Sequence, residues 1–596
     1  MSTDATADPS SSDASRPSAG HAAGQAADQA KGQGKNQSGK KRRVKEDPLV
    51  RARREKLERW RDTYGITGYG HRVDGLMDLT DARSRFDEAA TEAWQAAVEA
   101  AVEGGADAPP ASADQRPEAL VAGRCVQHRA MGKLVFMVLR DHTGDLQVSV
   151  SKADVSPEGF KLASKLDYGD IVVAGGRMGR TKKGEVCLWA DRFEVHAKSL
   201  VPPPEKYHGL TDMELRYRHR YVDMYANPET TRVFVDRSRI ISTMRRVMED
   251  RGFLEVETPM MQPLAGGAAA RPFMTHHNAL DLPLFLRIAP ELYHKRLLVG
   301  GLPRVYEINR NFRNEGVDRS HNPEFTAIEA YEAFGDCWTM LDLTEDLLHR
   351  LACLAAGVEP GSPVRRTWDD IDVDWSRPFP RVTYGELFER AWGFAMDDEA
   401  KVRAAAREGG RDNADTLDRW LLVNELYEEK AEGLTDPQRP TFVTDYPSAI
   451  SPLTRPQEDA PHLCHRWELM CAGMELGTAY TELNDPAVQL AAFTRQMAGA
   501  DEEETTFRSV DEDFLHALRV GMPPAGGLGL GVDRIIMLMT GAASIRDVIL
   551  FPLMKPEGGA DAVKDAAGDA AKKAAGDAAK NAAKDAAKDA AGSTSS

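Results

Sequence analysis

Arg304 to Phe334 reads RVYEINRNFRNEGVDRSHNPEFTAIEAYEAF, and the reading of this stretch decides the fold. Two runs of strand character flank a polar loop, so the pattern is strand, loop, strand. The loop carries Arg313, Glu315, Arg319 and His321. That many charges in one connection suit a small, highly charged ligand better than they suit packing. Side chains two apart on a strand share a face, so Phe325, Ala327, Glu329 and Tyr331 point one way. A carboxylate and a phenol among small and aromatic neighbours suit a cationic group beside a ring. Glu329 taken alone reads equally well as a solvated strand charge.

Outward from this stretch the chain divides by composition. It has 596 residues, enough for several domains, and 42% are hydrophobic. Residues 1–43 contain no Val, Ile, Leu, Phe, Tyr or Trp and cannot bury enough surface to offset ordering entropy. The expected division is a disordered basic and polar extension over 1–47, then a helical arm and linker over 48–117. A β-barrel follows over 118–200, a large α+β domain over 201–556, and an Ala/Asp/Lys-rich disordered tail over 557–596. The net charge of −17 argues against general nucleic-acid affinity, yet Lys40 to Arg61 is locally basic. That stretch fits phosphate contacts or an ion-paired solvated helix equally. The six cysteines form no C-x-x-C pair, which suits a reduced cytoplasmic protein without a structural zinc site. No apolar run approaches a membrane span, so no membrane partner is expected.

Between 118 and 198, five short strands alternate with Gly and Asp turns, and a helix over 159–166 separates the third from the fourth. Five strands with a helix there predict an OB-fold barrel, an oligonucleotide binder. Arg129, Lys133, Phe136 and Gln147 would supply phosphate contacts, stacking and base-edge hydrogen bonds. Phe136 in the barrel core is the alternative. Farther on, Ile240, Ile241, Met244, Val247 and Met248 make one stripe of a helix over 233–250. A strand over 253–257 follows. The remainder predicts a mixed, largely antiparallel sheet flanked by helices, without the glycine loops of parallel nucleotide folds.

Two more constellations bear chemistry. Trp467 to Leu483 reads WELMCAGMELGTAYTEL, and a hairpin turning at Ala472-Gly473 places Glu468 and Glu475 on one face. Two carboxylates there suit Mg²⁺ held against polyphosphate oxygens. Thr478, Tyr480 and Glu482 alternate together but differ in parity from Glu475. A bulge near Gly477 would bring both sets to one cavity. Gly526 to Arg534 reads GGLGLGVDR, a glycine strand entering a helix, with Arg534 placed to meet a phosphate or stack on a base.

These three constellations, with Pro259, resemble motifs 1, 2 and 3 of class II aminoacyl-tRNA synthetases. The segments GGAAARPF from Gly266, THHNALD from Thr275, LRIAPELY from Leu286 and FRNEG from Phe312 resemble the bacterial lysyl-tRNA synthetases in particular. The resemblance covers about residues 48–556. It implies an OB-fold that reads the anticodon through Arg129, Phe136 and Gln147, a class II catalytic domain, and a cytoplasmic homodimer. It implies lysine–tRNA ligase activity, with ATP, L-lysine and tRNA(Lys) as substrates and Mg²⁺ as cofactor.

By the same resemblance, Arg313 and Arg534 bind ATP and serve catalysis, with Arg313 also reaching the lysine carboxylate. Glu315, His321 and Phe325 frame the adenylate, and Glu468 and Glu475 hold the metal. Gly267 and Glu291 meet the α-ammonium. Glu329, Tyr331, Thr478, Tyr480 and Glu482 line the side-chain pocket. Paired carboxylates are what two desolvated ammonium groups require. The sequence departs from the family where Thr478 replaces a frequent Asn, Tyr480 a frequent Phe and His128 a frequent Arg. The alternative is a class II paralogue with another diamino acid or a protein lysine as acceptor.

Overall fold

The computed structural model describes residues 46–105, 109–203, 210–268, 270–498 and 510–556. The expectations for residues 1–45 and for the tail over 557–596 lie outside the described residues. Helix Pro48–Tyr64 forms as expected, started by the Asp47 side chain accepting from Leu49 N and ended by Gly65 at φ 65°. A second helix of the expected helical arm spans Glu88–Glu103.

The barrel closes from five strands, Glu118–Met131, Leu134–Arg140, Asp145–Ser151, Ile171–Arg180 and Val186–Ala197. Its third and fifth strands run parallel and the other pairings are antiparallel. The helix before the fourth strand is Pro157–Ser164, two residues earlier than the apolar pattern suggested, because Ser156 caps Gly159 N. Val135, Met137, Leu139, Leu146, Val148 and Val150 fill the interior. Phe136 therefore lies on the outer face and not in the core, by the alternation of the strand.

The second domain is built on an eight-stranded sheet. Its order is Arg381–Thr383, Thr441–Thr444, Arg466–Cys471, Met474–Thr481, Ala525–Gly531, Glu324–Ala333, Arg304–Phe312 and Leu254–Glu255. The two outermost pairings are parallel and the five inner ones antiparallel. The strand expected over 253–257 shrinks to Leu254–Glu255. One sheet face is covered by helices Pro228–Asp250, Cys337–Ala356 and Val532–Thr540 around Ile328, Ala330, Leu528 and Leu530. Ile240, Met244, Val247 and Met248 are buried there, while Ile241 is only partly so. Asp533 ties these layers together. It accepts from Arg237 Nη1 at 2.6 Å and from Thr326 N at 2.7 Å. Helices Tyr384–Trp392, Glu399–Glu408 and Arg419–Lys430 pack about a separate apolar cluster, which the strand and loop signals did not foretell.

Candidate active site

The opposite sheet face holds the site, and cross-strand register explains why. Glu329 pairs with Gly529, which pairs with Thr478, which pairs with Glu468. The next row is Tyr331, Gly527, Tyr480 and Arg466. Paired residues share a face, so the glycines of the central strand leave a trough between polar walls. The hairpin turns at Ala472 (φ 51°) and Gly473 (φ 74°). Leu469 pairs with Gly477 but Met470 with Glu475, so Leu476 is the extra residue of a bulge. This is the irregularity expected near Gly477, and it turns Glu475 toward the cavity that Thr478 and Tyr480 line. A Cβ on Gly477 would sit 2.2 Å from Gly529 O, which leaves glycine the only residue that fits.

The cavity has a volume of about 530 Å³. Arg313, Glu315, His321, Phe325, Arg534, Glu468, Glu475, Gly267, Glu291, Glu329, Tyr331, Thr478 and Tyr480 all line it. Glu482 does not. It is fully buried, with its Oε2 2.5 Å from Lys295 Nζ.

The guanidinium end is held open. Arg313 lies over the Phe325 ring at 5.2 Å, and its buried Nε has no hydrogen-bond partner. Arg534 donates from Nη1 to Glu475 O at 2.6 Å, and its Nη2 stands 2.9 Å from His321 Nε2. His321 Nδ1 in turn lies 2.8 Å from Asp318 Oδ2. The loop and the glycine strand are thus joined through His321. Arg319 belongs elsewhere, since it donates to Ala543 O and Asp369 and covers Trp368.

At the acidic end, Tyr331 Oη donates to Glu329 Oε2 at 3.2 Å. Burial pushes the Glu329 carboxyl up to about 8, and the neighbouring Glu291 adds to the shift. The Cβ that Gly267 lacks would be 3.2 Å from Glu291 Cβ, so those two positions are adjacent. Thr478 Oγ1 donates to Trp467 O at 3.0 Å, so its hydroxyl is engaged by the backbone. Glu468 accepts from Tyr446 Oη at 2.7 Å and is paired with Arg466. Burial raises Glu475, and the Glu468 charge raises it further. Two repelling carboxylates with hard oxygen donors fit Mg²⁺, which would relieve that repulsion.

Sequence reading missed the layer beneath. Glu307 accepts from Thr258 Oγ1 at 2.7 Å and Arg287 Nη1 at 2.8 Å, and lies 3.0 Å from His294 Nε2. Burial alone would raise Glu307, but these partners outweigh it and bring the carboxyl to about 2. Arg466 and Lys295 were also missed. The Glu291–Lys295 spacing of four was visible in the sequence, but the contact of Lys295 with Glu482 was not.

On the barrel, Arg129 pairs with Phe136, and Val138, two residues on, pairs with Gln147. All three expected anticodon residues therefore share one outer face. His128 Nε2 lies 2.7 Å from Ala163 O, which turns that ring to the helix.

Comparison with known proteins agrees with this architecture. Residues 119–202 match the OB-fold nucleic acid binding domain, and residues 212–555 match the tRNA synthetases class II (D, K and N). A lysine–tRNA ligase of Pelotomaculum thermopropionicum is 44% identical over 513 residues, 85% of this chain and 95% of that relative. One from Moorella thermoacetica is 43% identical over 515 residues, covering 86% and 99%. One from an Anaeromyxobacter species is 49% identical over 459 residues, covering 73% and 87%. The sheet, the barrel and these relatives together place the chain in the lysine–tRNA ligase family of class II tRNA synthetases.

Proposed function

We propose that the protein activates L-lysine with ATP and transfers it to the 3′ end of tRNA(Lys). The observation that carries this reading is one cavity that brings the guanidinium groups of Arg313 and Arg534 together with the buried carboxylates of Glu291 and Glu329. An amino acid with a second ammonium group, joined to a nucleotide phosphate, has that distribution of charge. Aspartate or asparagine, whose ligases share the family model, would bring no second cation to Glu329.

A lysine carboxylate oxygen attacks the α-phosphorus of ATP, and the bond to the bridging oxygen breaks with release of pyrophosphate. The 3′-terminal ribose hydroxyl then attacks the acyl carbon and AMP leaves. Arg313 bridges the carboxylate and the α-phosphate, since a guanidinium fork suits both. Arg534 faces the remaining phosphates, and Phe325 packs against the base with Glu315 and His321. The chemistry is positioning and charge neutralisation, without a side-chain nucleophile. Glu468 and Glu475 would hold Mg²⁺, which when bound adds charge neutralisation at the phosphates. The outer barrel face with Arg129, Phe136 and Gln147 takes the anticodon.

The reading includes a homodimer, and exposed Met261 and Met274 on the small three-stranded sheet support an apolar contact there. It also includes a cytoplasmic setting, supported by six free, buried cysteines. Among the described residues no helix is long and apolar enough to cross a membrane. The test is ATP–pyrophosphate exchange across the common amino acids, with ornithine and β-lysine added. Exchange driven best by lysine is expected. Preference for another amino acid would overturn the substrate.

The raised Glu329 sets a pH dependence. Its carboxyl titrates at 4.5 in the ordinary state and at about 8 in the fold, so the free protein holds this proton more tightly than the unfolded chain. Glu329 therefore favours the fold at low pH, and that contribution is lost as pH rises from 4.5 through about 8. A bound ammonium favours the ionised form. Lysine binding near pH 7 is then expected to release a proton, with affinity rising up to about tenfold per unit toward pH 8. Calorimetry in two buffers of different ionisation enthalpy measures this. Proton uptake, or affinity flat from about pH 6 to 8, would count against it.

A further inference from the structure

Lys295 stands inside the acidic end of the site without reaching the cavity. It lies four residues after Glu291 on helix Glu291–Val299, and its side chain is fully buried. Its Nζ is 2.7 Å from Glu291 Oε1 and 2.5 Å from Glu482 Oε2. Burial by itself would strip its proton, but the two carboxylates outweigh that and hold it charged. Glu482 remains poorly satisfied, since neither of its oxygens receives a well-directed hydrogen bond. Its Oε1 abuts Gly527, where an added Cβ would lie only 1.8 Å away. Tyr331 is surrounded by the charges of Glu291, Glu329 and Glu482, which all raise its phenol beyond what burial does. Glu291 and Glu482 therefore share one protein ammonium, while Glu329 faces the charges of Arg287 and Arg313.

We infer that Lys295 is a specificity-determining residue of the amino-acid subsite, cancelling one of its three carboxylates and fixing Glu291 and Glu482 so that a doubly cationic diamino acid completes the charge balance. The inference rests on the reading that this subsite holds the amino acid. With Lys295 charged, one ammonium serves Glu291 and Glu482 together, which leaves Glu291 and Glu329 on the cavity wall for a ligand's α- and side-chain ammonium groups. An amino acid with one ammonium group leaves a desolvated carboxylate unpaired, which is costly. Without Lys295, Glu291 and Glu482 repel each other, and even lysine leaves one charge over.

The test uses the full-length enzyme in ATP–pyrophosphate exchange, with lysine and ATP varied separately, for Lys295→Met, Lys295→Gln and Lys295→Arg. Wild-type exchange with lysine is the control for the activity itself. Its absence would overturn the proposed function, whereas Lys295 is judged only on ratios of variant to wild type. Both neutral variants are expected to raise the lysine KM at least about 100-fold, the scale of a broken buried pair. The ATP KM should stay within about threefold, because the guanidinium end is untouched. Lys295→Arg keeps the charge and should recover at least about tenfold of the loss. A lysine KM within about threefold of wild type in either neutral variant overturns the inference. So does an equal loss for lysine and ATP, or an arginine variant no better than the neutral ones. Failure of both neutral variants to fold would make Lys295 structural and overturn it as well.

Discussion

Arg313→Ala is expected to reduce lysine-dependent ATP–pyrophosphate exchange roughly 1,000-fold while the protein stays folded. Arg313 meets the forming adenylate at the point where phosphate and carboxylate charges approach each other. In the free protein its Nε is buried without a hydrogen-bond partner, and the guanidinium lies against the Phe325 ring. Such a group is prepared for an anion, since burying it unpaired costs free energy that a ligand's oxygens recover. Truncation removes a cavity wall and no part of the sheet core, so the melting temperature should change little. Arg313→Lys keeps a charge but loses the two-pronged fork, and an intermediate rate is expected. Near-normal exchange by Arg313→Ala would sink the assignment of this cavity as the activating site.

Gly527→Ala should lower kcat/KM for lysine roughly 10- to 100-fold, the kinetic equivalent of the ~1–3 kcal/mol that overpacking costs. The new methyl would stand 1.8 Å from Glu482 Oε1 and 2.6 Å from Tyr331 Cε1. Side-chain ends usually yield, but these two cannot do so freely. Glu482 is fully buried against Lys295, and Tyr331 is 3% exposed and bonded to Glu329. The displacement therefore falls on the amino-acid subsite, and the ATP KM should change less. Gly529→Ala is the control for stability, because its methyl meets nothing closer than Glu329 Cγ at 3.7 Å. A lower melting temperature for Gly527→Ala alone is expected. Unaltered lysine kinetics in that variant would mean that the trough does not shape the amino-acid site.

The site was legible in sequence wherever strand alternation set the direction of a side chain. Glu329 and Tyr331 share a wall because they are two apart, and Glu475 joins that cavity through the bulge expected near Gly477. Glu482 shows the limit. Its parity matches Tyr480, yet it lies past the end of strand Met474–Thr481, and its carboxylate is buried against Lys295. Thr478 alternates with Tyr480 in sequence, but that its hydroxyl is engaged by Trp467 O appears only in the fold. Arg319 sat among the ligand-directed charges of its loop, but Asp369, about 50 residues on, holds it at the surface.

By itself the sequence determined the order of elements and the chemical type of each wall, because hydrophobic period, turn residues and strand parity act over a few residues. It also carried the resemblance that named the reaction. Only the tertiary structure decided which charges remain for a ligand and which are consumed within the protein. Arg313 keeps an unpartnered nitrogen, whereas Lys295 spends its charge on Glu291 and Glu482. That division depends on desolvation and on contacts between strands and helices far apart in the chain, since the energy of a buried charge is set by the atoms around it and not by its neighbours in sequence.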